Sequence, residues 1–297
     1  MKRAGLLLLA VVPLTVTAVA CSAADGSRGA GEDRPAAARP YDEDGSSVDR
    51  RTHDKRVADL PPGLAAPAKK ELAMKLVASA ENSTLDWRGQ YGYIEDIGDG
   101  RGYTAGIIGF CTGTHDLLEL VEGYTKKHPD NGLARFLPAL RAVDGSDSHA
   151  GLGRPFTRAW AREARVAAFQ RAQDAVRDRL YFDPAVRLAK LDGLGTLGQF
   201  VYYDAMVMHG PGTGPKSFHG LREAALKKAE TPAGGGGEKT YLDAFLDVRR
   251  SVMRGEKAHR NTSRVDTAQR RFLREGNLDL RTPLTWRVYG ETFRVPR

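Results

Sequence analysis

The sequence predicts a mainly α-helical protein of α+β type, in which one small β-hairpin interrupts a series of amphipathic helices. Three observations carry this. Apolar residues recur at helical spacing in most segments from residue 66 onward. One stretch stands apart: Tyr91 to Ile97 and Tyr103 to Phe110 are aromatic and β-branched, and between them Gly98-Asp99-Gly100-Arg101-Gly102 is a strong turn signal. Finally, 297 residues with 41% hydrophobic content can bury a real core, as one domain or as two lobes.

The chain opens with Met1-Lys2-Arg3 and an apolar run from Leu6 to Ala20, too short for a comfortable membrane span. Residues 1–20 therefore read as a signal peptide, and the protein as exported. Ala18-Val19-Ala20 suits an ordinary signal peptidase, whereas Cys21 directly after it suits a lipoprotein site, with Ala18 where a lipobox usually has Leu. A membrane enters only if Cys21 is lipidated. Residues 21–65 are rich in Ala, Gly, Pro, Ser, Asp and Arg without apolar periodicity, the composition of a flexible tether. The functional domain is then 66–297, expected to be a monomer.

Within it, Lys69 to Ala80 puts Leu72, Leu76 and Val77 on one face, with Glu81 at the helix end. After the hairpin, Thr112 or Thr114 is expected to cap a helix to about Lys127, with Asp116 in the first turn, where the helix dipole favours an anion. Further helices are expected at 132–143 and 156–179. Asp183-Pro184 reads as a cap followed by proline at the first helical position, opening a long apolar helix through Met208. Ser217 to Ala229, Glu238 to Lys257 and Ser263 to Glu275 complete the set, the last stopped by Gly276.

The net charge of +8 alone would suggest an anionic partner, but its distribution is uneven. Between Glu81 and Glu122 stand eight acids against two bases, Arg88 and Arg101; from Arg249 to Arg297 stand thirteen bases against five acids. No nucleic-acid-binding module is recognisable. Cys111 is the one thiol besides Cys21, so packing rather than a disulfide must hold the fold. With no basic cluster to make a thiolate, Cys111 reads as a small buried hydrophobe. Trp87, Trp160 and Trp286 read as core rather than as sugar platforms.

Glycosidic hydrolysis needs one carboxylic acid to protonate the leaving oxygen and a second carboxylate acting from the other side. Glu81 at a helix end and Asp99 on a glycine-rich tip have the right type and placement, though each is also open to an ordinary surface or turn role. Ser79-Ala-Glu-Asn-Ser83 to Asp86-Trp87, Tyr93 to Thr104 and Gly106-Ile-Ile-Gly-Phe-Cys111 together resemble the signature of the family 46 chitosanases. The similarity extends from about Lys70 to Trp286 through Ser148 to Gly153, Tyr181 to Pro184, Gln199 to Pro211 and Thr262 to Asp266.

The resemblance implies a two-lobed, lysozyme-like fold with the cleft between lobes, and endo-acting, inverting cleavage between glucosamine units of chitosan without metal or cofactor. It implies Glu81 as general acid, Asp99 as general base and Thr104 as the hydroxyl that helps hold water. Asp116, Tyr93, Arg101, Thr114, Tyr181, His209 and Glu256 are the implied substrate-binding positions. Asp204, among tyrosines and methionines, is expected to be buried and to need a cation, which Arg249 and Arg264 can supply; the resemblance links these three to Glu81. Arg260 departs from the pattern, where an acid is expected. Because chitosan is a polycation, the cleft should be acidic. Two rivals remain: a muramidase or chitinase acting on N-acetylated glycans, and a non-catalytic lipoprotein binding anionic wall polymer through its arginine-rich C-terminal third.

Overall fold

A computed structural model describes residues 47–256 and 261–297. The signal peptide, Cys21, the first part of the tether and Arg260 lie outside the described residues.

The part of the tether that is described is not featureless. Helix α1 (Ser47–Ala58) reaches the body through Asp54, which pairs with Arg187 at 3.1 Å. Leu64 is fully buried, and its backbone N–H donates to Gln199 Oε1 at 2.8 Å. Gly63 makes that approach possible: its φ is +55°, and a Cβ there would lie 2.4 Å from the same Oε1. The folded domain thus begins a few residues before 66.

Helix α2 (Pro67–Glu81) follows as its apolar spacing predicts, with Pro67 at its first turn. The hairpin is realised as the first two strands of a three-stranded antiparallel sheet, β1 (Ile94–Asp96), β2 (Tyr103–Ala105) and β3 (Phe110–Cys111). Thr104 sits in the central strand, opposite Glu95 on one side and Cys111 on the other. Helices α3 (Asp116–Lys127), α4 (Leu137–Val143), α5 (Gly153–Glu163) and α6 (Ala167–Arg177) gather on the sheet side. Neither threonine caps α3. His115 stands at the cap position with φ 69°, and Thr112 to Thr114 form a separate short turn.

A rod joins this lobe to the second. Helix α6 runs without a break through a π-helical turn, Asp178–Phe182, into α7 (Asp183–Leu191). Phe182 has helical φ and ψ, so Asp183 is inside a helix rather than capping one. The break comes later, at Asp192 to Gly195, before α8 (Thr196–His209). Every residue of α8 from Thr196 to Met206 is buried. A helix apolar on all sides must be surrounded, and α2, α7, α9 (Phe218–Leu226) and α10 (Glu238–Gly255) pack against it. A second π-helical stretch, Arg264–Gln269, leads into α11 (Arg270–Arg274).

The chain closes with a hairpin that the helical reading left out, β4 (Leu284–Val288) and β5 (Glu291–Val295). It pins α2: the indole of Trp286 donates to Ser79 Oγ at 2.9 Å, two residues before Glu81. Trp160 and Trp286 are fully buried and Trp87 nearly so, in agreement with a core role.

Candidate active site

One cavity of 910 Å³ runs between the lobes. The end of α2 brings Ala80, Glu81 and Asn82 to it; the sheet brings Tyr93, Asp99, Arg101 and Thr104; the ends of α8 and α10 bring Met208 and Glu256; Arg264 and Tyr289 also line it.

Asp99 stands at the tip between β1 and β2, where Gly98 and Gly100 take φ of +70° and +83°. L-residues rarely adopt such a backbone, which explains the glycine spacing around the carboxylate. Arg101 grips it at two points: its backbone N–H donates to Oδ1 at 3.1 Å and its Nε to Oδ2 at 2.8 Å. The side chain is 6% exposed, so its direction is set by the protein rather than by solvent.

Glu81, at the end of α2, lines the same cavity and pairs with Arg264 Nη1 at 2.8 Å. The same guanidinium reaches Asp204 Oδ1 through Nη2 at 2.7 Å, while Arg249 Nη1 bonds Asp204 Oδ2 at 2.7 Å. Asp204 is essentially inaccessible. Burial pushes its carboxyl up, but Arg264 and Arg249 outweigh burial and hold it at about 2. Gln269, which sequence reasoning missed, donates to Asp204 Oδ2 at 2.6 Å and accepts from Arg249 at 3.1 Å. No local pattern marks it: five residues after Arg264 is off the face of an α-helix, and the two side chains meet at Asp204 because Arg264–Gln269 winds as a π-helix.

Thr104 lines the cavity with its hydroxyl 3.3 Å from Cys111 Sγ, and the thiol donates to Gly109 O at 3.1 Å. Burial pushes the Cys111 thiol up to about 11 despite the nearby Arg101. That agrees with an unreactive thiol.

The implied substrate positions divide. Tyr93, Arg101 and Glu256 line the cavity. Asp116 lies behind the sheet, 4% exposed, where it accepts from Cys111 N, Thr114 Oγ1 and Tyr181 OH at 2.9, 2.7 and 2.8 Å. These three side chains form an internal knot in this structure, off the cavity wall, and burial raises the Asp116 carboxyl. His209 is not on the wall either; its Nε2 accepts from Arg249 Nε at 3.3 Å.

The cleft is also less acidic than expected. Three carboxylates, Glu81, Asp99 and Glu256, are matched on its wall by Arg264, Arg101 and Lys216. Other acids of the sheet-side cluster point elsewhere, Glu119 to Arg179 and Glu122 to Arg141. Lys216 and Tyr289 escaped sequence reasoning. Tyr289 sits on the turn of the C-terminal hairpin at φ 51°, and the alternation Leu284-Thr-Trp-Arg-Val288 before Tyr289-Gly290 was the signal available.

Two carboxylates brought to one cleft by different elements, each paired with its own arginine, are the equipment of a glycoside hydrolase of the two-carboxylate kind. The comparison with known sequences is specific: the model of glycosyl hydrolase family 46 matches residues 75–284. The chain belongs to that family. It is 64% identical over 231 residues to a chitosanase of Streptomyces sp. strain N174, covering 78% of this chain and 83% of that one. A chitosanase co-crystallised with substrate superposes with a TM-score of 0.78 at 56% identity, covering 78% of this chain and 98% of the other. The family 46 chitosanase of Gynuella sunshinyii in complex with chitotetraose gives 0.71 at 34% identity, covering 77% and 97%.

Proposed function

We propose that the protein is a chitosanase that hydrolyses β-1,4 linkages between glucosamine units within the chain, with inversion at the anomeric carbon. Glu81 protonates the leaving oxygen. Asp99 takes the proton of a water that attacks the opposite face of the sugar. Thr104 holds that water: with the Cys111 thiol donating to Gly109 O, the threonine hydroxyl donates to Sγ and turns its lone pairs to the cavity. The protons balance: Glu81 gives one to the leaving oxygen, Asp99 takes one from the attacking water, and exchange with solvent restores both.

The observation that carries the reading is that Glu81, at the end of α2, and Asp99, at the tip between β1 and β2, line one cavity. Arg264 and Arg101 orient them, and Arg264 is already shared with Asp204. Glu256 supplies a site for a substrate ammonium. Its present partner, Lys216 at 3.4 Å, is 69% exposed and free to yield it. Tyr93 and Arg101 are further contacts along the groove.

The test is the anomer first released from chitosan, followed by proton NMR. The α-anomer is expected; the β-anomer would exclude inversion. Reducing-sugar release from chitosan, but not from cell walls or fully acetylated chitin, separates this reading from a muramidase or chitinase. We place the enzyme outside the cell on the strength of residues 1–20; mass analysis of the mature N-terminus distinguishes a free secreted form from one lipidated at Cys21.

A further inference from the structure

The net charge of +8 has no use in a reaction on a polycation. Many arginines among the described residues are nonetheless paired with carboxylates. In the C-terminal third, Arg249, Arg250, Arg264, Arg270, Arg271 and Arg281 all have carboxylate partners within 3.3 Å. Arg254, Arg274, Arg287, Arg294 and Arg297 of the same segment have no carboxylate partner among the described residues, so its basic charge is partly neutralised.

Helix α5 is different. Arg154, Arg158 and Arg162 project from it at four-residue spacing, all exposed, and with Arg135 and Pro155 they make up the whole lining of a groove of 260 Å³. None of the four arginines has a carboxylate partner among the described residues. The acid adjacent in sequence, Glu163, is engaged elsewhere: Tyr124 OH donates to its Oε1 at 2.7 Å and Gly132 N to its Oε2 at 2.9 Å. Arg135 is steadied by lying 4.8 Å over the Phe136 ring.

The start of α5 adds to the same field. Leu152 at its cap position offers no side-chain acceptor, and the first turn holds no acid. The free backbone N–H groups and positive dipole end therefore coincide with Arg154, the opposite of the usual arrangement. Three guanidiniums along α5 stand about 6 Å apart per step, a ladder of like charges that a linear polyanion would relieve, with release of its counterions. Planar guanidinium forks match phosphate oxygens two at a time. The groove is lined by no aromatic ring, so it lacks the platforms on which single-stranded bases stack.

We propose that Arg135, Arg154, Arg158 and Arg162 form a second binding site, for a linear polyol phosphodiester. It would hold the enzyme on a polyanionic surface while the interlobe cleft stays open to cationic substrate. This site does not depend on the roles given to Glu81 and Asp99.

Binding of the full-length protein to poly(glycerol phosphate) at low salt tests it. The triple variant Arg154→Gln, Arg158→Gln, Arg162→Gln is expected to bind at least about tenfold more weakly and to lose most of the salt dependence. A control that removes the same charge from other exposed positions, Lys227→Gln, Lys228→Gln, Arg274→Gln, is expected to change binding less than about twofold. Both should hydrolyse soluble chitosan at the wild-type rate, which also confirms folding. Equal weakening by the two triples, or by neither, would overturn the site. Tighter binding of single-stranded DNA than of poly(glycerol phosphate) would overturn the assigned ligand. Should the glutamine triple fail to fold, the lysine triple at the same positions keeps the charge but not the forks. A loss of about threefold is expected there, and undiminished binding would contradict guanidinium recognition.

Discussion

Glu81 and Asp204 share one guanidinium: Arg264 reaches the first through Nη1 at 2.8 Å and the second through Nη2 at 2.7 Å. The carboxylate in the cleft is thereby tied to a charge at the centre of the second lobe. Removing the arginine leaves Asp204 buried with one cation fewer and Glu81 without its guide. Arg264→Ala is expected to cost about 3 to 5 kcal/mol of stability and to lower kcat. Thermal melting and chitosan turnover check both, and a variant unchanged in each would break the link between the network and catalysis.

Acid stability follows from the same cluster. The Asp204 carboxyl is held at about 2 in the folded protein, below its unfolded value near 3.9. A depressed folded value adds stability above the unfolded value and loses it as pH falls through the folded one. About 2 kcal/mol should disappear between roughly pH 4 and pH 2. Asp116 acts with the opposite sign: burial raises its carboxyl, so its contribution is present at low pH and lost as pH rises through the folded value. Urea unfolding midpoints of the wild type and Asp116→Asn across this range separate the two.

The thiol of Cys111, buried and pushed up to about 11, should resist iodoacetamide at pH 8 in the native state and react on unfolding. Rapid alkylation of folded enzyme, followed by mass spectrometry, would place it in a more open site.

Leu64 marks where folded structure begins. Leu64→Ala is expected to cost about 2 to 5 kcal/mol, as a fully buried leucine does, whereas a truncation that removes residues 1–46 should leave the melting temperature within a few degrees. A fully tolerant Leu64 would return it to the tether.

What was legible in the sequence was whatever depends on local pattern. The apolar face of α2 delivered Glu81 to a helix end, and Gly98 and Gly100 marked the tip that carries Asp99. The burial of Asp204 was legible because Tyr202, Tyr203, Met206 and Met208 around it leave a carboxylate little solvent. What failed depends on distant context. Thr112 and Thr114 look like caps, but His115 takes a left-handed backbone that ends their turn before α3 starts. Asp183-Pro184 looks like a helix start, but a π-turn absorbs the proline into a continuous rod. Leu64 looked like tether because its partner, Gln199, is 135 residues away. The acid count around Asp99 misjudged the cleft for a similar reason, since distant Arg264 and Lys216 complete its wall.

The most direct test is kcat on chitosan for Glu81→Gln and Asp99→Asn, each shown by circular dichroism to be folded. Each carboxyl is expected to be worth about 10² to 10⁴ in rate. If either amide retained turnover within a few-fold of wild type, the two-carboxylate account of this cleft would be contradicted.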